Sequence, residues 1–353
     1  MEIGGFFPYK SGEVQDNHYV ERMCPGAEDT AHLMSGRCAI YYCVQDIMLS
    51  DKKKVAYLPA YDCETVLNCF VKAGYTICYY DFDEKMVPQF EEEMIDKISL
   101  FLITGYYGYS TFDTEYVKRC KEKGVTILQD TTHTAFSPTG ACPEADYVAV
   151  SLRKWMGVTS GGLAIKRTGK FQVEPVASDE VHLKLRDKAL AMRQKYEECG
   201  TEQYNDEGNE AFWKAEFMLR EIFDMQKGDE RSLEAIRHFD LDEAICKRQE
   251  NYRYLLKHFP QGKSFRPVFD ELPEDVCPMF FAMYCEDRED FMEYLAKNRV
   301  VPKIYWPVPP CVEVSEYAGA SYIYDHVMSI SCDERFGEED MKKVIKVLEE
   351  YRK

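Results

Sequence analysis

Residues 125–162, "VTILQDTTHTAFSPTGACPEADYVAVSLRKWMGVTSGG", contain two short apolar runs, and each ends on a charged or polar side chain. "VTILQ" stops at Asp130, and "YVAV" runs through Ser151 to Lys154. β-Branched and aromatic residues in runs of this length predict buried strands. The same pattern extends outward on the N-terminal side. "KVAYLPAY", "YTICYYDFD" and "ISLFLITGYYG" predict further strands. "SGRCAIYYCVQDIML", "CETVLNCFVKAG" and "DTEYVKRCKEKG" predict the helices between them, with Gly74 and Gly124 as stop signals. Strands separated by helices imply parallel βαβ units with both sheet faces covered. In such sheets ligands gather at the carboxyl ends of strands, which is where Asp130 and Lys154 stand.

The chain of 353 residues is long enough for a large core and predicts two domains. With 45% apolar residues it reads as globular, and its formal charge of −18 argues against a nucleic-acid partner. No apolar run approaches the ~20 residues that cross a bilayer. The N-terminal segment lacks a signal-peptide pattern, and the fourteen cysteines have no framework spacing. The expectation is reduced thiols and a cytoplasmic protein. Residues 170–235 read as charged helices, most of whose charges belong on a solvated face. From about 236 the pattern turns to a mixed helix and strand unit ending in the helix of "EEDMKKVIKVLEEYRK".

Lysine at a partly desolvated strand end has its ammonium form disfavoured, which suits Lys154 to attack on a carbonyl. The plainer alternative is a surface lysine with a snorkelling stem. Asp130 could pair with a cationic ligand nitrogen or simply close an Asx turn before "TTHTAF". His133 could touch a ring at the same strand end. Gly36, Arg37 and Cys38 open an apolar helix, so their backbone N–H groups could bind a phosphate, with Ser151 adding a hydroxyl. The Gly161–Gly162 pair allows close backbone approach. No G-x-G-x-x-G follows the first strand, which argues against a nicotinamide dehydrogenase. No Cys/His cluster suggests zinc or any other metal.

In this order "SGRCA", "LPAYDCETV", "YYG", "QDTTHTAFS" and "SLRKW…GG" resemble the fold-type I pyridoxal 5′-phosphate (PLP) transaminases, and within them the DegT–StrS family of mostly sugar-nucleotide aminotransferases. The resemblance spans about residue 30 to the end. It implies a large α/β domain at 30–235 with a mostly parallel sheet, a small α+β domain at 236–353, and an arm at 1–29. It makes Lys154 the Schiff-base lysine, Asp130 the partner of the pyridine nitrogen and His133 a contact to the ring oxygen. The phosphate site falls on Gly36, Arg37, Cys38 and Ser151, and Cys63 stands where relatives often carry an aromatic that stacks on the ring. Arg37 replaces a small hydroxyl residue, Trp155 a common asparagine, and Ala149 the usual serine. The implied activity is amino transfer from an amino-acid donor, glutamate by family expectation, to a keto-sugar nucleotide or related ketone, in a homodimer. Different PLP chemistry, such as dehydration, and a non-catalytic partner role stay open.

Overall fold

The computed structural model describes residues 2–9, 14–222 and 224–352. Helix α1 (Tyr19–Met23) precedes β1 (Asp29–Leu33), α2 (Gly36–Met48), β2 (Val55–Pro59), α3 (Glu64–Lys72), β3 (Thr76–Phe82), β4 (Pro88–Gln89) and β5 (Leu100–Thr104). Then come α4 (Thr114–Glu122), β6 (Thr126–Asp130), β7 (Tyr147–Ser151) and β8 (Gly162–Lys166). The eight strands form one sheet in the order β1-β8-β7-β6-β5-β2-β3-β4. Its central block β3-β2-β5-β6-β7 is parallel, while β8, β1 and β4 join antiparallel. Every residue of β5 and β7 is buried, as a parallel sheet covered on both faces requires.

The helices form where capping and apolar spacing agree. Ser35 caps α2 by accepting from the Cys38 N–H, and Asp113 caps α4 by accepting from Glu115 and Tyr116 N–H groups. Helices α5 (Glu180–Cys199) and α6 (Glu202–Ile222) pack as an antiparallel hairpin, and α7 (Glu230–Arg237) and α8 (Leu241–His258) follow. A three-stranded antiparallel sheet holds β9 (Phe265–Pro267), β10 (Phe281–Cys285) and β11 (Val327–Ile330), in the order β11-β10-β9. Helices α9 (Arg288–Lys297), α10 (Ala318–His326) and α11 (Glu338–Glu350) complete that half.

Strands β1 and β8 lie outside the elements expected from the sequence. "DTAHL" is only half-buried at the sheet edge, and "GLAIK" opens on a glycine, so neither has the apolar run that marks β5 or β7. The expected solvated face of the 170–235 helices also needs correction at three side chains. Arg186 and Arg193 are buried, and Glu216 is mostly so. Arg193 holds the N-terminal segment through Glu2 at 2.6 Å and the Gly4 carbonyl at 2.7 Å. Arg335 adds bonds to the Gly5 and Phe6 carbonyls, which brings Phe6 and Phe7 over the sheet edge.

Candidate active site

Because β2, β5, β6 and β7 are parallel, their carboxyl ends share one edge of the sheet. Asp62 and Cys63 follow β2, Thr104 ends β5, Asp130 ends β6, and Ser151 ends β7 just before the 3₁₀ turn Leu152–Lys154. All of these line one pocket together with Gly36, Arg37 and His133. Of the residues given a catalytic or cofactor-binding role from the sequence, Cys38 alone is missing from the pocket wall. Its side chain is in the core, and its N–H donates to Ser35 Oγ at 3.4 Å.

Two glycines allow the close approaches that shape the wall. A Cβ on Gly36 would stand 2.6 Å from Ser151 Cβ, and one on Gly162 would stand 2.1 Å from the Ser35 carbonyl oxygen. The start of α2 is thereby pressed against the ends of β7 and β8. Thr132, which no feature of the sequence marks out, ties the loops together. Its N–H donates to Asp130 Oδ1 at 2.8 Å, its Oγ1 accepts from the Ser151 N–H at 3.1 Å, and its carbonyl accepts from Trp155 Nε1 at 2.7 Å. Each such bond is worth about 1 kcal/mol net. Trp155 is fully buried behind the lysine, against Phe136 and the Arg248 guanidinium.

Among the described residues Lys154 has no ion pair or hydrogen bond; its ring partner is Tyr305, 5.4 Å from Nζ to the ring centre. Burial holds its ammonium below the ordinary lysine range; Glu216 and Cys63 oppose this, while Arg153 and Arg37 add to it. A second amine, Lys303, lies 4.9 Å from the same ring and is pushed down to about 7, first by burial and then by Lys154. Asp130 is buried, so its carboxyl is raised, against the Thr132 hydrogen bonds and the Lys154 charge. His133 is held neutral, its imidazole pushed down to about 3 by burial and then by the two lysines. Its Nδ1 accepts from the Tyr107 N–H at 3.4 Å, which leaves Nε2 as the protonated nitrogen. The ring stacks on Trp306, 5.0 Å between centres and 16° apart.

Trp306 and Lys303 come from the segment before α10, while Phe212 and Glu216 come from α6. Nothing local in the sequence marks them, because only the folded chain brings them to residues more than fifty positions away.

No family model matches the sequence, and no curated protein does. Solved structures match over nearly its full length. The aminotransferase PseC of Helicobacter pylori, involved in the biosynthesis of pseudoaminic acid, superposes with a TM-score of 0.67 at 11% identity, covering 99% of this chain and 100% of that one. The aminotransferase TlmJ of Streptoalloteichus hindustanus gives 0.67 at 13% identity, covering 98% and 97%. A Streptococcus pneumoniae protein named as a candidate sugar aminotransferase, solved in its PMP form, gives 0.65 at 12%, covering 98% and 91%. A PLP form of that protein matches with 0.63 at 10%. The chain has the α/β fold of these aminotransferases, with a large, mostly parallel sheet flanked by helices, as the sequence resemblance implies.

Proposed function

We propose that this chain is a PLP-dependent aminotransferase that moves an amino group from an amino-acid donor, by expectation glutamate, to a keto-sugar nucleotide or a related small ketone. The observation that carries this reading is the meeting of Lys154, the buried carboxylate of Asp130 and the start of α2 in one pocket at the carboxyl edge of a parallel sheet. The residues fit the cofactor chemically. Asp130 is a carboxylate whose charge burial disfavours, so a protonated ring nitrogen would supply the cation it lacks. The start of α2 at Gly36 and Arg37, beside Ser151, suits a phosphate. Cys63 and His133 stand in the wall for a ring and its oxygen.

When bound, PLP supplies an electron sink conjugated to the substrate amine. The chain contributes the rest. Lys154 Nζ is the nucleophile that attaches the cofactor, and burial, which disfavours its ammonium, favours the free amine that can attack and later take up a proton. Asp130 keeps a positive charge fixed at the ring nitrogen, and His133 Nε2 offers a hydrogen bond. Phe6 and Phe7 add apolar wall to the pocket.

The test is cofactor uptake. Protein supplied with PLP should turn yellow, and borohydride should fix the cofactor on the peptide that contains Lys154. Labelling of another lysine, or none, would sink the reading. No helix among the described residues is long and apolar enough to cross a membrane. We also propose a two-fold homodimer. Trp213 and Phe217, one turn apart on α6, are 57% and 58% exposed, and large aromatic rings are enriched at interfaces. Trp213→Glu with Phe217→Glu should halve the mass seen by light scattering, and a wild-type protein that is monomeric and active would overturn the dimer.

A further inference from the structure

Arg153 and Arg186 line the pocket but have no part in the roles above. Arg153 immediately precedes Lys154, whereas Arg186 arrives from α5. Their side chains are 6% and 4% exposed, and they share one carboxylate. Glu216 on α6 accepts from Arg153 Nη2 in a very short contact and from Arg186 Nη1 at 3.4 Å. This leaves Arg153 Nε and Nη1 and Arg186 Nε buried with no acceptor among the described residues.

Charge is unbalanced in the same direction. Burial pushes the Glu216 carboxyl up, yet Arg153, Arg186, Lys154 and Arg37 together pull it down to about 2. In a balanced buried pair the guanidinium would gain from its partner. Here both guanidiniums are disfavoured: burial leads for each, and Arg153 adds repulsion that brings Arg186 down to about 9. His182, one turn before Arg186, is fully buried. It stays neutral, pushed down to about 3 by burial and then by the same two arginines. One carboxylate therefore faces several cations, and three N–H groups lack acceptors. Buried donors without acceptors are costly, and guanidinium forks match carboxylate and phosphate oxygens bidentately. Phe212 holds the Arg186 fork, its ring centre 5.0 Å from the guanidinium carbon, and is itself stacked on Phe6 at 4.6 Å.

We propose that Arg153 and Arg186, with Glu216 as a built-in counter-ion, form a clasp for a ligand oxyanion, carboxylate or phosphate, beside Lys154. This rests on Lys154 being the reacting amine, and it makes the α5–α6 hairpin a recognition element: the compound handled at Lys154 is held by an anionic group. The oxyanion belongs either to the substrate or to the cofactor, and one experiment separates these sources.

The full-length protein, with and without PLP, is titrated calorimetrically with succinate and with inorganic phosphate, beside Arg186→Gln, Arg186→Lys and Glu216→Gln. For a substrate oxyanion, Arg186→Gln should weaken succinate binding to the PLP-loaded protein about tenfold to a hundredfold, the size of a lost charged hydrogen bond, and leave PLP retention unchanged. For a cofactor phosphate, the same variant should weaken PLP and inorganic phosphate alike and leave succinate unchanged. Arg186→Lys should fall between wild type and Arg186→Gln, and Glu216→Gln should tighten the anion severalfold by removing its internal competitor. If Arg186→Gln melts like wild type and binds all three probes within threefold of it, the clasp is wrong. Should Arg186→Gln not fold, unchanged affinities in both Arg186→Lys and Glu216→Gln overturn it equally. Borohydride labelling run in parallel keeps the two readings apart. Labelled Lys154 without any Arg186 effect removes only the clasp, while Arg186-dependent anion binding without labelling removes only the aminotransferase.

Discussion

Lys154→Ala is expected to lower kcat for amino transfer on the order of 10⁶-fold, the size of effect seen when a covalent nucleophile is deleted. Because Lys154 has no ion pair or hydrogen bond to lose among the described residues, the variant should stay folded. Its ammonium is repelled by Arg153 and Arg37 and disfavoured by burial, so the cofactor-free variant should melt at or slightly above the wild-type temperature. Lys154→Arg should be as inactive, since a guanidinium stays protonated and cannot attack a carbonyl. The measurement is a single-turnover half-reaction with amino donor, followed by cofactor absorbance, beside thermal unfolding. A variant that keeps more than about one hundredth of wild-type kcat would show that another group does the chemistry, and Lys303, the second amine against Tyr305, would be the first to examine.

The central sheet is legible because "KVAYLP", "ISLFLIT" and "VTILQ" bury both faces and so are mostly apolar rather than alternating. Strand β8 is not, because its pairing with β1 is set by residues 129 to 137 positions away and its first residue is a glycine. Within the pocket, Lys154, Asp130 and His133 could be singled out because they end apolar runs, which is where a parallel sheet opens to ligand. Arg186 and Glu216 could not. Each sits in a helix dense with charge, and the sequence offers no way to tell a buried arginine from its solvated neighbours. Cys38 differs again: its position at a helix start suggests an N–H for phosphate, and in the fold that N–H donates to the Ser35 hydroxyl. Trp155, which stands where relatives commonly carry asparagine, packs behind the lysine and donates from Nε1 to the Thr132 carbonyl.

Asp130→Asn separates the two roles that its position allows. In the structure Asp130 Oδ1 accepts from the Thr132 N–H at 2.8 Å, the Asx turn that would be its entire function if it were only a cap. Asparagine keeps that oxygen and that turn, so shape and stability should be preserved while the charge is lost. Stability should if anything rise. Burial raises the Asp130 carboxyl, so at neutral pH the folded protein carries a charge that the unfolded chain holds more easily, and the amide removes this penalty. The cofactor-free variant should therefore melt no lower than wild type at pH 7, and the two should converge as the pH falls and wild-type Asp130 takes up its proton. Turnover should behave oppositely. Without the carboxylate nothing on this strand end holds a positive charge at the ring nitrogen, and kcat should fall roughly 10⁴-fold, as when another buried catalytic carboxylate becomes an amide. PLP uptake should stay within tenfold of wild type, because Lys154, Ser151 and the start of α2 are unchanged, so rate is the quantity to measure. A variant whose kcat lies within tenfold of wild type would reduce Asp130 to the cap of the turn that leads to His133.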